Sequence, residues 1–445
     1  MNKLDTALVT GSLEDSGFRL TESVKEADVV LINTCSVREH AEQRVFSHLG
    51  HLKHIKESRP NLVVGVIGCM AQRLGDKLLE HEAVNLVCGP AEIPRIRQLI
   101  TDALKEKTLA ITAKIRRKAQ EQQSQALEEF ESAYGVDGES IPAQAFVRVM
   151  RGCNNFCSYC IVPYVRGPEV SRPPEAIIEQ IKKLADHGVK QITLLGQTVN
   201  SYRYKKGEKT WSLADLLEAA GNIDGIEWLR FVTSYPSEEF FDDIMHVIAS
   251  SPKVCEYLHI PAQSGSDKIL RAMNRNYTAT QYMELLDRAR KIVPGIAIAG
   301  DFIVGFPGEA DEDFQATVDL AEKARYKNAF IFKYSPRPGT SADNHLQDTV
   351  STEVKQRRNV ELLAVQEKIS DQLSREFLGK QVKVLVEGPS KKSQVNIDKD
   401  ENPQLVGRTS GDWIVVFNGP ESLAGNFAEV KIESVSPLTL FGRLA

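Results

Sequence analysis

Three cysteines, Cys153, Cys157 and Cys160, stand four and then three residues apart in the stretch Arg151-Gly152-Cys153-Asn154-Asn155-Phe156-Cys157-Ser158-Tyr159-Cys160. Seven cysteines scattered at random over a chain of this length would give that spacing in roughly one chain in five hundred. A structural zinc site would require a fourth Cys or His to close its tetrahedron, and none lies near in sequence. Three thiolates instead suit a [4Fe-4S] cluster with one iron left open. An open iron can be chelated by a small molecule carrying an amine and a carboxylate, which then receives an electron.

The elements around these cysteines indicate how they are positioned. Residues 28–32 and 62–67 are β-branched runs bracketing a helical stretch from Val37 to Glu57, and residues 84–88 and Ile93 to Leu104 continue as strand and helix. The first hundred residues thus read as a small parallel α/β domain. Cys35 and Cys69 each fall just past the carboxyl end of one of its first two strands, the edge at which open α/β sheets bind ligands. From Ala110 to Ser140 charge and Gln replace apolar periodicity, which reads as a linker or a surface helix.

Beyond residue 145, six apolar runs alternate with helical stretches: 145–150, 191–195, 227–232, 254–260, 296–304 and 329–334. One helix opens at Pro173-Pro174 and sets Ile177, Ile178, Ile181 and Leu184 on one face. The pattern predicts an incomplete (β/α)6 barrel whose strand-end loops carry the chemistry, with the three-cysteine loop directly after its first strand. A long charged helix follows over 352–376, and short strands at 382–386, 413–417 and 427–432 predict a small closing all-β barrel. The expected fold is therefore α/β multidomain: an N-terminal parallel sheet domain over 1–108, a linker over 109–138, a partial barrel over 139–376 and a β-barrel over 377–443.

The chain has 445 residues, 42% of them hydrophobic and 26% charged, so it can bury several cores and is not broadly disordered. With 55 Lys+Arg against 60 Asp+Glu it is no globally basic nucleic-acid coat, and any RNA site must be local. The N-terminus lacks a signal-peptide layout, and the longest apolar run, Leu62 to Ala71, is too short to span a bilayer. These features lead us to expect a cytoplasmic protein in which clustered cysteines serve a metal.

The cysteine loop after the first barrel strand resembles that of the radical S-adenosylmethionine (SAM) enzymes, which bind the methionyl part of SAM on the open iron. Asn33-Thr34-Cys35-Ser36-Val37-Arg38, Gly68-Cys69-Met70-Ala71, the cluster loop through Arg166-Gly167 and Leu195-Gly196-Gln197-Thr198-Val199-Asn200-Ser201-Tyr202 are similar to the methylthiotransferases within that group. The resemblance implies two [4Fe-4S] clusters: one held by Cys153, Cys157 and Cys160, and an auxiliary one with Cys35 and Cys69 among its ligands. It implies a TRAM-like C-terminal barrel and methylthiolation of C2 of N6-(dimethylallyl)adenosine beside the tRNA anticodon. The alternatives are a methylthiotransferase for threonylcarbamoyl-adenosine or for a ribosomal-protein aspartate, with a non-catalytic RNA-binding iron–sulfur protein as a distant third. The family's first N-terminal cysteine, and a strand with it, would be expected upstream of Met1; Cys88 is a weaker substitute that reads more simply as a core thiol.

By the same resemblance Tyr159 lies near the adenine of SAM. Gln197, Asn200, Ser234 and Gln263, on loops after successive barrel strands, hold the cofactor, and Phe306 belongs to the adenine-contacting segment Gly305–Glu309. Loop capping is the simpler role for any buried amide among them. Arg166 is expected to meet the cofactor carboxylate or an RNA phosphate. Residues 378–443 carry eight Lys/Arg and eight Asp/Glu, so RNA binding there would need a local stripe from Lys391, Lys392 and Arg408. The implied partners are tRNA, a reductant such as flavodoxin or ferredoxin, and iron–sulfur assembly or sulfur-donor proteins, with no membrane.

Overall fold

In the computed structural model the described residues are 1–34, 36, 39–106, 109–111, 117–132, 143–239, 241–391 and 402–445. They divide into two compact units, one within Met1–Ser140, Met150–Arg172 and Arg337–Thr340, the other within Ile141–Val149, Pro173–Pro336 and Ser341–Ala445.

In the first unit, strands β1 (Val29–Thr34), β2 (Val63–Gly68), β3 (Leu86–Cys88) and β4 (Leu109–Ile111) form one parallel sheet in chain order. Alternation along the strands sorts the core into two layers. Val64, Val66 and Val87 pack with Val45, Leu49 and Leu52 of helix α2 (Glu39–Ser58) and with Met70 of α3 (Cys69–Leu74). Val63, Ile67, Leu86 and Cys88 pack on the other side with Val9 of α1 (Asn2–Glu14) and with Ile96, Leu99 and Ile100 of α4 (Ile96–Glu106). Helix α1 and strand β4 are elements that the sequence reading did not resolve. Strand β1 forms a sheet edge, and a groove of about 1010 Å³ lies beside it, lined by residues of α1 and of the loop to β1. Helix α5 (Arg117–Ser132) falls in the stretch read as linker or surface helix. The cluster loop and the short helix α6 (Val162–Arg166) that follows it complete the unit.

The second unit holds six parallel strands arranged in chain order. Strands β5 (Gln144–Arg148), β6 (Gln191–Leu195) and β7 (Trp228–Val232) form one sheet, and β8 (Tyr257–His259), β9 (Ala297–Val304) and β10 (Asn328–Lys333) another. A parallel bridge from Leu229 to Val254 joins the two into one open arc. Each strand lies within a residue or so of the expected run, except that β8 is shorter. The connecting helices carry local start signals. Helix α7 (Pro174–Asp186) has Pro at its first turn and buries Ile177, Ile181 and Leu184, while α8 (Leu213–Gly221) and α11 (Ala279–Ile292) open on capping boxes from Ser212/Asp215 and Thr278/Gln281. Between them in the chain lie α9 (Phe241–Ser250) and α10 (Asp267–Ala272), and after them α12 (Asp311–Ala324), α13 (Ser341–His345) and the long α14 (Thr352–Arg375).

Strands β11 (Gln381–Pro389), β12 (Gln404–Arg408), β13 (Ile414–Asn418), β14 (Phe427–Val435) and β15 (Thr439–Leu444) close a barrel in the order β11-β12-β13-β15-β14. Its interior is Val384, Val386, Leu405, Trp413, Val415, Phe417, Val430, Ile432 and Leu440. Strands β12 and β15 lie outside the three runs expected from the sequence. Gly407 is needed because a Cβ there would lie 2.5 Å from the Leu385 carbonyl oxygen. The β-barrel docks on the partial barrel through Trp228, Cys255 and Leu385, with Phe427 edge-on to Trp228.

Candidate active site

The cluster loop begins after β5 and is pinched at its base. Met150–Arg151 pairs antiparallel with Val170–Ser171, and the Cys153 N–H donates to the Gly167 carbonyl at 3.2 Å. Gly152 sits at φ +72°, where a Cβ would lie 2.0 Å from the Pro168 carbonyl oxygen, so only glycine lets the loop close. Within the loop the Cys160 N–H donates to the Cys157 carbonyl at 2.9 Å, and the Asn155 amide approaches Cys153 Sγ at 3.5 Å. Phe156 turns through φ +45° and packs its half-exposed ring edge-on against Tyr164. Cys153 and Cys157 are buried, whereas Cys160 and Tyr159 keep some exposure.

Three ion pairs made by two arginines clamp the same base. Arg151 binds Glu131 at 2.9 Å, and Arg172 binds Glu128 at 2.6 Å and Glu131 at 3.3 Å, with Arg172 and Glu131 each only 2% exposed. Both carboxylates belong to α5, in the segment whose composition gave no functional signal. The only hint available in sequence is their spacing of three residues, which sets both on one helix face.

On the N-terminal domain, Thr34 and Gly68 are register partners at the carboxyl ends of β1 and β2, and each precedes a cysteine in the chain. Gly68 adopts φ +95°, and a Cβ there would meet the Thr34 carbonyl oxygen at 2.7 Å, so the two strand ends meet closely. Cys69, buried, is the first residue of α3. Cys35 lies outside the described residues. Beyond it Ser36 donates to Glu42 and accepts from Arg73, which also pairs with Glu42 at 2.7 Å.

Arg166 corrects an expectation. Its guanidinium is engaged within the protein: Nη2 pairs with the Asp5 carboxylate at 2.9 Å, Nε donates to Cys69 Sγ at 3.2 Å, and the side chain is 8% exposed. Burial disfavours its charge, but Cys69 and Asp5 together hold its pKa above the ordinary arginine value. Ile161 and Val165 of the same segment pack against Cys69. By contrast Cys88 is a fully buried core thiol, pushed up to about 12 by burial, and Cys255 is likewise pushed up to about 11. Neither is a reactive thiolate.

The strand-end loops of the partial barrel separate into two kinds. Among the described residues Gln197 Oε1 and Ser234 Oγ are buried polar atoms without a hydrogen-bond partner. An orphaned buried polar group costs about 1–3 kcal/mol, a cost that a bound polar ligand would remove. Strained backbone accompanies them: Thr233, a β-branched residue, lies at φ +73° and Gln263 at φ +71°. Gln263 is held in the sheet by its N–H to the Asp301 carbonyl and by its own carbonyl, which accepts from Ile303. Asn200 is different, because its amide donates to the Tyr235 carbonyl and accepts from the Tyr235 N–H, both at 2.7 Å. Both polar ends are thus committed to capping a loop. Phe306, within the segment Gly305–Glu309, is fully buried with its ring edge-on to Tyr334. That segment is fixed by Glu309, whose carboxylate accepts from Gly305 N–H at 3.0 Å and pairs with Arg358 of α14 at 2.9 Å.

In the β-barrel Lys391 is exposed, Lys392 lies outside the described residues, and Arg408 pairs with Glu387 at 3.0 Å and Asp412 at 3.2 Å. Among the described residues no three His, Cys, Asp or Glu side chains converge as ligands of one metal ion. A cubane makes a different demand, since each of its thiolates binds a different iron. A tightly pinned loop bearing three thiols, one of them partly exposed, is a donor set suited to that group.

The comparisons with known proteins agree with this arrangement. Residues 147–321 match the radical SAM superfamily, residues 1–89 the uncharacterized protein family UPF0004, and residues 375–445 the TRAM domain. Curated proteins called tRNA-2-methylthio-N(6)-dimethylallyladenosine synthase are similar throughout. That of Rhodopirellula baltica is 42% identical, covering 100% of this chain and 93% of the relative. That of Thermoanaerobacter pseudethanolicus is 43% identical, covering 100% and 90%. The chain belongs to this methylthiotransferase family. Among solved structures, the radical SAM methyltransferase TsrM from Kitasatospora setae is similar in fold alone, with a TM-score of 0.53 at 16% identity over 75% of this chain and 70% of that one. Family membership accounts for the cysteine loop and the six-stranded arc together.

Proposed function

We propose that this chain methylthiolates C2 of N6-(dimethylallyl)adenosine in tRNA, using SAM and two [4Fe-4S] clusters. The observation that carries the reading is the full-length identity of about two residues in five with synthases of that name. Cys153, Cys157 and Cys160 would hold the SAM-cleaving cluster, and Cys69 with Cys35 would serve the auxiliary one. When bound, the first cluster supplies the electron for reductive cleavage of SAM.

The protein's own part is positioning. Gly152, the Cys153–Gly167 hydrogen bond and the Glu128/Glu131 clamp fix the cluster loop; Gln197 and Ser234 offer unpaired polar atoms to the cofactor; Glu309 and Arg358 lock the loop that contains Phe306. Hydrogen-atom chemistry needs such fixed geometry and exclusion of water more than a tuned acid–base pair. The C-terminal barrel, as a TRAM domain, supplies RNA contact, with Lys391 and Lys392 as candidates; extruding an adenine from a stacked loop costs a few kcal/mol that phosphate contacts offset. Among the described residues no helix is long and apolar enough to cross a membrane, and we place the protein in the cytoplasm with its tRNA and a flavodoxin- or ferredoxin-type reductant. Sulfur-donor and iron–sulfur assembly proteins would supply the remaining inputs.

Nucleoside analysis of tRNA from a deletion strain tests the substrate. The 2-methylthio derivative should disappear while its unmodified N6-(dimethylallyl) precursor accumulates, and an unchanged level would refute the reading. Loss instead of the 2-methylthio derivative of threonylcarbamoyl-adenosine would assign the other tRNA substrate.

A further inference from the structure

Arg166 joins two parts of the first unit that are far apart in sequence. It lies on α6, six residues after Cys160, yet its Nε donates to the sulfur of Cys69 at 3.2 Å. Asp5 of α1 holds the other side of the guanidinium at 2.9 Å, and all but a few per cent of both side chains is buried. A guanidinium kept this dry interacts strongly with whatever it touches. Asp5 accounts for one nitrogen, and the second is spent on a sulfur. A structural ion pair would need only the first contact.

We propose that Arg166 is a positioning residue for the auxiliary cluster: its N–H···S hydrogen bond to Cys69 raises that cluster's reduction potential and ties its ligand to the loop carrying Cys153, Cys157 and Cys160. The inference rests on reading Cys69 as an auxiliary-cluster ligand. The physical basis is that a hydrogen bond donated to a ligating thiolate draws electron density from the sulfur and stabilises the cluster after it gains one electron. The tie follows from α6 itself. Ile161 and Val165 pack on Cys69, and Gly167, next to Arg166, accepts from the Cys153 N–H, so the sulfur and the cluster loop share one short, buried support.

The test uses the full-length protein with Cys153, Cys157 and Cys160 all changed to Ala, so that only the auxiliary cluster loads. After anaerobic reconstitution, iron per chain is counted and the cluster is titrated with redox mediators and read by electron paramagnetic resonance. Arg166→Met should load the same iron but titrate at a lower potential, with the reduced-to-oxidised ratio at a fixed potential falling about tenfold, equivalent to about 59 mV for one electron. Arg166→Lys, which keeps a charge and one donor, should recover part of the shift. A Met variant that loads fully and titrates at the parent potential overturns the inference. So does loss of auxiliary iron from both variants while near-ultraviolet circular dichroism stays native, because that outcome is a structural role. Absence of any cluster in the Arg166 parent would overturn the Cys69 reading itself, and the inference with it.

Discussion

Each unit of the molecule buries an arginine against an aspartate, and the two pairs differ in what completes them. In the first, Arg166 and Asp5 are joined by a thiol. In the second, Asp412 projects from the turn between β12 and β13 of the C-terminal barrel to Arg230 of β7, at 3.4 Å, and to Lys327, just before β10, at 3.2 Å. There the surroundings are the rings of Tyr257 and Trp413 and the Thr409 carbonyl, which accepts from Arg230. The two arginines are about equally buried, 8% and 5% exposed, but Asp412 keeps 22% of its side chain exposed against 3% for Asp5. A thiol completes the first pair, while rings and backbone make the second a dock that seats the β-barrel on the partial barrel. The burial of an arginine alone therefore says little about its role.

The largest expected effect tests the chemical side. Cys157→Ala should abolish 5′-deoxyadenosine formation from SAM under dithionite while the iron of the proposed auxiliary cluster is retained; loss of all iron would show that the two sites are not independent. Next comes the dock. Asp412→Ala leaves Arg230 and Lys327 buried without their carboxylate and should cost about 3–5 kcal/mol in urea unfolding. Iron content should be unchanged, so a drop in auxiliary iron would erase the contrast between the two pairs.

A smaller effect separates the strand-end amides. Asn200→Ala strands the Tyr235 N–H and carbonyl and should cost about 1–3 kcal/mol in unfolding free energy. Gln197→Ala removes an orphaned acceptor, so stability should hold while the KM for SAM rises; equal destabilisation by both would mean that Gln197 is also only a cap. The smallest effect is a pH slope. Burial lowers the Lys327 ammonium to about 8 from 10.5, against the pull of Asp412. Between those values the unfolded chain keeps a proton that the folded chain has shed, so this residue's contribution to stability rises with pH through that window. Asp412 acts in the opposite pH range: burial opposes its charge, but Lys327, Arg230 and Arg408 hold its pKa below the usual carboxylate value, so its contribution is lost as pH falls through that lowered pKa. Thermal unfolding midpoints from pH 8 to 10 should climb less steeply, after the background trend, in Lys327→Met than in the parent.

Much of the fold was legible because its signals are local. The apolar runs of β6, β7 and β9, the Pro-initiated α7 and the Gly-rich turns of the closing barrel each state their conformation within a few residues. Strands β12 and β15 were missed because Gly407 and Gly442 interrupt their apolar alternation, although both glycines are there for close backbone approach. Helix α1 was missed because its apolar residues Leu4, Leu8 and Val9 are sparse and the buried position beside them is Asp5. At the site, the three-cysteine spacing was readable, since it is local to eight residues. The capping role of Asn200 was not, because an amide's sequence context is the same whether it holds a loop or a ligand.

The sequence by itself determined the cysteine spacing, the order of most elements and the family, because these depend on residue type and short spacing. Only the tertiary structure decided which charges are spent on what. Arg166 finds Cys69 across 97 positions and Asp5 across 161, and Arg172 finds Glu128 across 44. Folding removes water from these particular groups and leaves each charge dependent on whichever partner the packing brings within reach.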